Sequence, residues 1–324
     1  MKIYITRNIP DRGINMLKGK GWEVVINPDD RILAKEELIS ILQQGQYDAV
    51  LCDLDDKITA EILDVAKANG VKIIANYAVG YDNIDVKAAT ERGIMVTNTP
   101  GALTNTVAEH AFGLLLAIAR RIPEADRYTR AGKFTSWGPT LFLGTDVSKK
   151  MLGIVGLGRI GSRVAYHAAK GFEMKVIYYD VKRSEEFEKE YGAVYRENVD
   201  DVFKEADFIS IHVPLLPTTR HLVDARRLGM MKKTAYLVNT SRGAVIDEVA
   251  LVEALKNRAI RGVALDVFEN EPALTPGLAE LENVILTPHI ASATEETRQD
   301  MSRIAAENII EALEGRTPPN LLKS

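Results

Sequence analysis

Short runs of β-branched and aliphatic residues alternate with helical stretches of about ten residues, and this spacing constrains the fold more than any other feature of the chain. Residues 2–6, 23–26, 48–52, 72–76 and 94–97 read as strands, with helices near 13–18, 35–43, 60–68 and 86–92 between them. Strands joined through helices need crossover connections, so this part should form a parallel sheet covered on both faces. After Thr99-Pro100-Gly101 the pattern gives way to one long helical segment, about residues 105–130. A second alternating unit follows, with strands at 151–155, 175–179, 208–212, 235–239, 262–266 and 284–286, and runs to Pro288. Residues 294–313 read as a final amphipathic helix, preceded by Ser292-Ala293-Thr294-Glu295 at the spacing of a capping box. Coming after the second unit is complete, that helix is free to return to the first.

A chain of 324 residues exceeds what one core comfortably supports, so two domains are expected, and with them a cleft. The net charge of -4 and the lack of a long Lys/Arg run speak against nucleic acid and leave small ligands as partners. The single cysteine, Cys52, rules out an intrachain disulfide and a Cys-based zinc site, and a small buried apolar role suits it better than a reactive thiol. No paired histidine spacing suggests any other metal. The N-terminus alternates like a strand and lacks the apolar core of a secretion signal, and the longest apolar stretch, residues 111–119, is too short to span a membrane. A cytoplasmic protein is expected.

Gly156-Leu-Gly158-Arg-Ile-Gly161 follows an apolar strand and opens a helical pattern over residues 162–170. In that setting the first glycine permits a tight turn, the second lets the backbone approach a pyrophosphate, and the third lets helix and strand pack closely. Asp180 ends the next strand, about 20 residues on, where an acid binds adenosine ribose hydroxyls. The alternative is a turn with no ligand and a solvated strand end. The carboxylate favours NAD over NADP, although Lys182 and Arg183 follow it and could accept a phosphate. The fold class expected is therefore α/β, with two doubly wound parallel-sheet (Rossmann-like) domains.

Reducing a 2-keto acid requires a carboxylate anchor, a polarised carbonyl and a proton donor. Arg242, in the turn after strand 235–239, suits the anchor. His289 follows strand 284–286 and suits the acid, and Glu271 could hold its imidazole. From spacing alone, a lone Arg such as Arg242 is more often a surface ion pair, Glu271 more often a solvated loop charge and a loop His such as His289 more often structural than catalytic. His110 and His167 lie in apolar helical patterns and read as filler.

Five segments in this order carry a resemblance: Gly153–Gly161, His212–Val223, Met230–Asp247, Gly262–Pro272 and Leu286–Thr294. The chain resembles the D-isomer-specific 2-hydroxyacid dehydrogenases along nearly its whole length, and most of all the glyoxylate/hydroxypyruvate reductases. The resemblance implies that Arg242 binds the substrate carboxylate and carbonyl, His289 is the acid/base and Glu271 its partner. The Val79 and Gly80 amides, with Ser292, would hold substrate. Thr104, Arg159, Ile160, Val213, Pro214, Thr219, Thr240, Ser241, His289 and Ala291 would join the glycine turn and Asp180 at the NAD or NADP cofactor. Asp266 would hold the nicotinamide carboxamide, or from its position alone cap a turn.

The resemblance further implies a discontinuous substrate-binding domain, residues 1–99 with 292–324, a dinucleotide-binding domain, residues 100–291, and a homodimer built on the latter. The loop at 137–144 resembles an arm that reaches across such a dimer, though a local hydrophobic patch would look the same. Because Val79–Gly80 and the triad fall in different domains, domain closure is expected. Ala291 stands where many relatives have Gly, and Tyr77-Ala78 replaces other small or polar residues. Glu271 argues against formate dehydrogenases, and the lack of an extension after Ser324 against the long phosphoglycerate dehydrogenases. D-lactate, phosphoglycerate or 2-ketogluconate chemistry is the alternative within the family. A nucleotide-sensing corepressor is the alternative outside it, distinguished by partner binding without turnover.

Overall fold

The computed structural model describes residues 1–323, which divide into two compact units, Met1–Leu103 with the segment from Ala293 onward, and Thr104–Ser292. The first unit runs β1 (Lys2–Ile5), α1 (Asp11–Gly19), β2 (Glu23–Ile26), α2 (Lys35–Gly45), β3 (Ala49–Cys52), α3 (Ala60–Ala68), β4 (Ile73–Asn76), α4 (Val86–Glu91) and β5 (Met95–Thr97). Its strands are all parallel, in the order β2-β1-β3-β4-β5. β3 and β4 are buried at every position, as expected of strands covered on both faces. Cys52 lies in this core, where burial pushes its thiol well up, and it is unreactive filler.

The second unit runs α5 (Thr104–Ala119), α6 (Ile122–Arg130), β6 (Met151–Val155), α7 (Arg159–Tyr166), β7 (Lys175–Tyr179), α8 (Glu185–Tyr191), β8 (Val194–Tyr195), α9 (Val199–Glu205), β9 (Phe208–Ile211), α10 (Ala225–Met230), β10 (Tyr236–Asn239), α11 (Glu248–Lys256), β11 (Gly262–Leu265) and β12 (Val284–Leu286). The chain then closes with α12 (Glu295–Leu313) in the first unit. The seven parallel strands are ordered β12-β11-β10-β9-β6-β7-β8, so the order reverses between β6 and β9. Alternate residues serve opposite faces. Leu152, Ile154, Val176, Tyr178 and Val238 pack with α5 and α7, while Val155, Ile177, Ile209, Ile211 and Leu237 pack with α9 and α11.

Three local expectations are corrected. The single helical segment over 105–130 is two helices, broken where Arg121 takes a left-handed conformation (φ 56°) ahead of Pro123. Proline has no N–H to continue the ladder, and the freed Ala119 carbonyl instead accepts from the Thr145 amide at 2.8 Å. The last helix is capped by Thr294, whose hydroxyl accepts from Thr297 N at 3.3 Å, and not by a box beginning at Ser292. That helix packs on α1, where Ser302 Oγ accepts from Gly13 N at 2.9 Å and donates to the Pro10 carbonyl at 2.6 Å. The helix expected over residues 162–170 also differs, since α7 begins at Arg159 and stops at Tyr166, and residues His167–Gly171 form a π-helical turn. Among the described residues no helix is long and apolar enough to cross a membrane, and no cluster of side chains suits a metal ion.

Candidate active site

The glycine turn sits at the carboxyl end of β6, beside the point where strand order reverses, which is where open α/β sheets bind ligands. Gly156 has φ 97°, and a Cβ there would meet the His212 carbonyl carbon at 2.8 Å and Val213 N at 2.9 Å. A Cβ at Gly161 would meet the Gly156 carbonyl oxygen at 2.1 Å, so α7 can approach the turn only with glycine there. Around Gly158, the N-cap of α7, a Cβ would meet nothing within 4 Å. The first and third glycines are thus demanded by the protein's own packing, whereas the second borders open space next to Arg159, Ile160 and the helix N–H groups. That combination fits a pyrophosphate.

Asp180 closes β7 with both oxygens anchored, Oδ2 accepting from Leu157 N at 2.7 Å and Oδ1 from Lys182 N at 2.9 Å. Arg183 is committed to Glu188 through two bonds of 2.9 and 2.8 Å. On the other side of the turn, Val213 and Pro214 leave β9, and Thr219 closes their loop by donating to the Pro214 carbonyl at 2.6 Å. After β10, the Thr240 hydroxyl is buried without a hydrogen-bond partner, an orphan that suits contact with a ligand. The Ser241 hydroxyl and amide instead turn back on Asn239 Oδ1 at 2.8 and 3.0 Å, and its carbonyl accepts from Arg242 Nη1 at 2.9 Å, so its polar groups are taken up within the turn. Thr104 opens α5.

Arg242, Glu271 and His289 follow β10, β11 and β12, three adjacent strands, and so share one edge of the sheet. His289 Nδ1 donates to Glu271 Oε2 at 2.9 Å, while Glu271 Oε1 accepts from Phe268 N at 2.8 Å. The glutamate is therefore fixed by its own turn before it fixes the imidazole, and a ring held through Nδ1 can exchange a proton only through Nε2. Arg242 is half-buried, and Asn239 Nδ2 holds its carbonyl at 2.9 Å. Val79 and Gly80, in the loop after β4, belong to the first unit.

Asp266, fully buried, organises the segment that carries His289. Its Oδ1 accepts from Ile290 N at 2.9 Å and Thr287 Oγ1 at 2.6 Å, and its Oδ2 from Ala291 N at 2.8 Å. Burial alone would push this carboxyl up, but His110, Thr287 and the two amides outweigh it and hold the group below the usual carboxylate range. The reading of His110 as filler is corrected, because its Nε2 lies 3.4 Å from Asp266 Oδ1 and 3.3 Å from Thr287 Oγ1. Asn239 and His110 carry no local motif. Their partners are fixed only when strands and helix are assembled, and the one sequence hint was a polar residue inside an apolar run.

The model of the D-isomer specific 2-hydroxyacid dehydrogenase NAD-binding domain matches residues 112–291. A glyoxylate reductase of Korarchaeum cryptofilum is 49% identical over 324 residues, covering 99% of this chain and 95% of its own. Among solved structures, the TT0316 protein of Thermus thermophilus superposes with a TM-score of 0.91 at 41% identity, covering 100% of both chains. A glyoxylate reductase of Paecilomyes thermophila does so with a TM-score of 0.87 at 32% identity, covering 99% of this chain and 98% of its own. With the glycine turn at the strand reversal, the histidine–glutamate pair at the same edge and these full-length likenesses, the chain belongs to the D-isomer specific 2-hydroxyacid dehydrogenase family.

Proposed function

We propose that this chain reduces glyoxylate, hydroxypyruvate or a near relative to the D-2-hydroxy acid, with His289 as proton donor. The observation that carries the reading is the 2.9 Å pair between His289 and Glu271, set at the sheet edge with Arg242 one strand further in. Substrate choice draws on the full-length similarity to glyoxylate reductases.

As a member of this family the chain uses a nicotinamide dinucleotide. When bound, the reduced nicotinamide supplies a hydride to the carbonyl carbon of the keto acid. Gly156, Gly158, Gly161 and the first turn of α7 would hold the pyrophosphate, Asp180 the adenosine ribose, and Thr240 with Val213 and Pro214 the nicotinamide end. Arg242 would pair with the substrate carboxylate and draw electron density from the carbonyl, in company with the Val79 and Gly80 amides and Ser292. His289 Nε2 would donate its proton to the carbonyl oxygen as the alcohol forms, with Glu271 stabilising the imidazolium before transfer. In oxidation the neutral ring would take that proton back. Asp266 would act mainly through the His289 segment, since its oxygens already hold that loop.

NAD is the proposed cofactor, because the Asp180 carboxylate repels a 2′-phosphate and Arg183 is tied to Glu188. A homodimer through the second unit is proposed on its exposed apolar arm, where Trp137 is 80% exposed and Leu143 58%. A cytoplasmic location accords with one free, buried cysteine.

The test is NADH and NADPH oxidation against a panel of 2-keto acids, with wild type and His289→Ala. Glyoxylate and hydroxypyruvate should give the highest kcat/KM, and the variant should lose roughly 10²–10⁴-fold in kcat, the usual worth of a positioned acid/base. Undiminished turnover in His289→Ala would remove that residue from the mechanism.

A further inference from the structure

Three consecutive carbonyls in the loop after β4 are held from behind. The Ala78 carbonyl accepts from Thr99 N at 2.9 Å, the Val79 carbonyl from Asn98 Nδ2 at 2.8 Å, and the Gly80 carbonyl from Asn76 Nδ2 at 2.8 Å. These peptides are trans, so each N–H points opposite to the carbonyl of the residue before it. Bonds from Thr99 and Asn98 therefore turn the Val79 and Gly80 N–H groups away from the segment that follows β5. Among the described residues neither amide donates a hydrogen bond. Two successive N–H groups facing one way form a concavity for an anion.

Asn98 is itself fixed from deeper in the unit. Its carbonyl accepts from Asn308 Nδ2 of α12 at 3.1 Å, and Asn308 Oδ1 accepts from the Asn320 backbone and side chain, both at 3.2 Å. Asn308 is fully buried and Asn98 nearly so. Asn76, also fully buried, lies 3.3 Å from Asn83 Oδ1, and Asn83 Nδ2 donates to the Asp53 carbonyl at 2.9 Å and the Asp56 carbonyl at 3.1 Å. A carboxamide is suited to this work, since it donates to a carbonyl without bringing a charge that would compete for the anion.

We infer that Asn98, seconded by Asn76 on the next carbonyl, is a positioning residue for the substrate carboxylate. It acts through the Val79 carbonyl to aim the Gly80 N–H, and α12 sets its place through Asn308. This rests on the Val79–Gly80 anchor proposed above. Aspartate at position 98 would set lone pairs against the Val79 carbonyl and release that peptide plane, while alanine would remove the donor without adding charge.

Steady-state kinetics with glyoxylate on the full chain decide the matter, using Asn98→Asp, Asn98→Ala and Val79→Pro, the last of which deletes one amide donor outright. KM for glyoxylate should rise about tenfold or more in Asn98→Asp and by a smaller factor in Asn98→Ala, with kcat falling less than KM rises, as for binding lost equally from ground and transition states. Dissociation of the reduced cofactor, read by its fluorescence, should stay within about twofold of wild type, which a general loosening of the protein would not allow. If KM holds in both Asn98 variants but rises in Val79→Pro, or if cofactor affinity falls in step with KM, the positioning role is wrong and the anchor stands. If KM holds in all three, the anchor fails as well. Should Asn98→Asp not fold, Asn98→Ala carries the same decision.

Discussion

Asp56 and Asp266 are both buried carboxyls, yet their surroundings push them in opposite directions. Asp266 is ringed by donors and stays ionised. Asp56 is pushed up to about 6 by burial and by the neighbouring Asp53 charge, against hydrogen bonds from Thr6 and the Asp53 amide. An unfolded aspartate titrates near 3.9, so between about 4 and 6 the folded chain keeps a proton that the unfolded chain has released. The stability this contributes is full below about pH 4 and is lost as pH rises through 6. A carboxamide at this position would keep an acceptor for both donors without the charge. Asp56→Asn should therefore stabilise by up to about 2 kcal/mol at pH 8 and by little at pH 4, read from urea melts at both. A larger gain at the acidic end would contradict this account. At this scale the sequence was informative where a residue follows a strand, as Arg242, Glu271 and His289 do, and silent on His110, Asn98 and Asn239, whose roles are set by distant partners.

The element that matters most for the proposed chemistry is the segment from Thr287 to Ala291, which leaves β12 and carries His289. His289 sits in the left-handed region at φ 52°, a conformation that costs about 1–3 kcal/mol when held by its surroundings. What holds it is Asp266, through its carboxylate and through its carbonyl, which accepts from His289 N at 2.9 Å. Asp266→Asn would set an NH2 against backbone donors that have no other partner. Each donor left unpaired costs about 1–3 kcal/mol, so the variant should lose on the order of 3 kcal/mol in a urea melt, with kcat falling in step as His289 loses its fixed position. Unchanged kcat in a folded Asp266→Asn would show that His289 does not depend on this turn. Helix and strand positions were largely legible from periodicity. The break at Arg121 was missed although Pro123 signals it, because a proline can either kink or end a helix, and the Ala119 carbonyl finds its partner only at Thr145, distant in sequence.

For the whole molecule, connectivity and stability divide differently. The second unit is continuous in sequence, whereas the first is completed by α12, which packs on α1, β4 and β5. Residues 104–292 expressed alone should melt cooperatively and bind the reduced dinucleotide, while residues 1–103 without α12 should remain unfolded, as circular dichroism and cofactor fluorescence would report. Cooperative melting of residues 1–103 alone would show that α12 is dispensable. The proposed dimer makes a further demand: the full chain should sediment as a dimer, and Trp137→Glu, which charges the most exposed aromatic of the arm, should shift it toward monomer. A monomeric wild type would leave that apolar arm for another partner.

The sequence by itself determined that the chain is built from crossover-linked parallel strands, where the glycine turn lies and that Arg242, Glu271 and His289 follow strands, because these follow from periodicity and from residues adjacent to strands. Tertiary structure alone decided which strands are neighbours, how an ionised Asp266 stays buried behind His289, and how Asn98 and Asn308 support the Val79–Gly80 loop. Those contacts join residues tens to hundreds of positions apart, and a hydrogen bond depends on distance and angle in space, which local patterning does not encode.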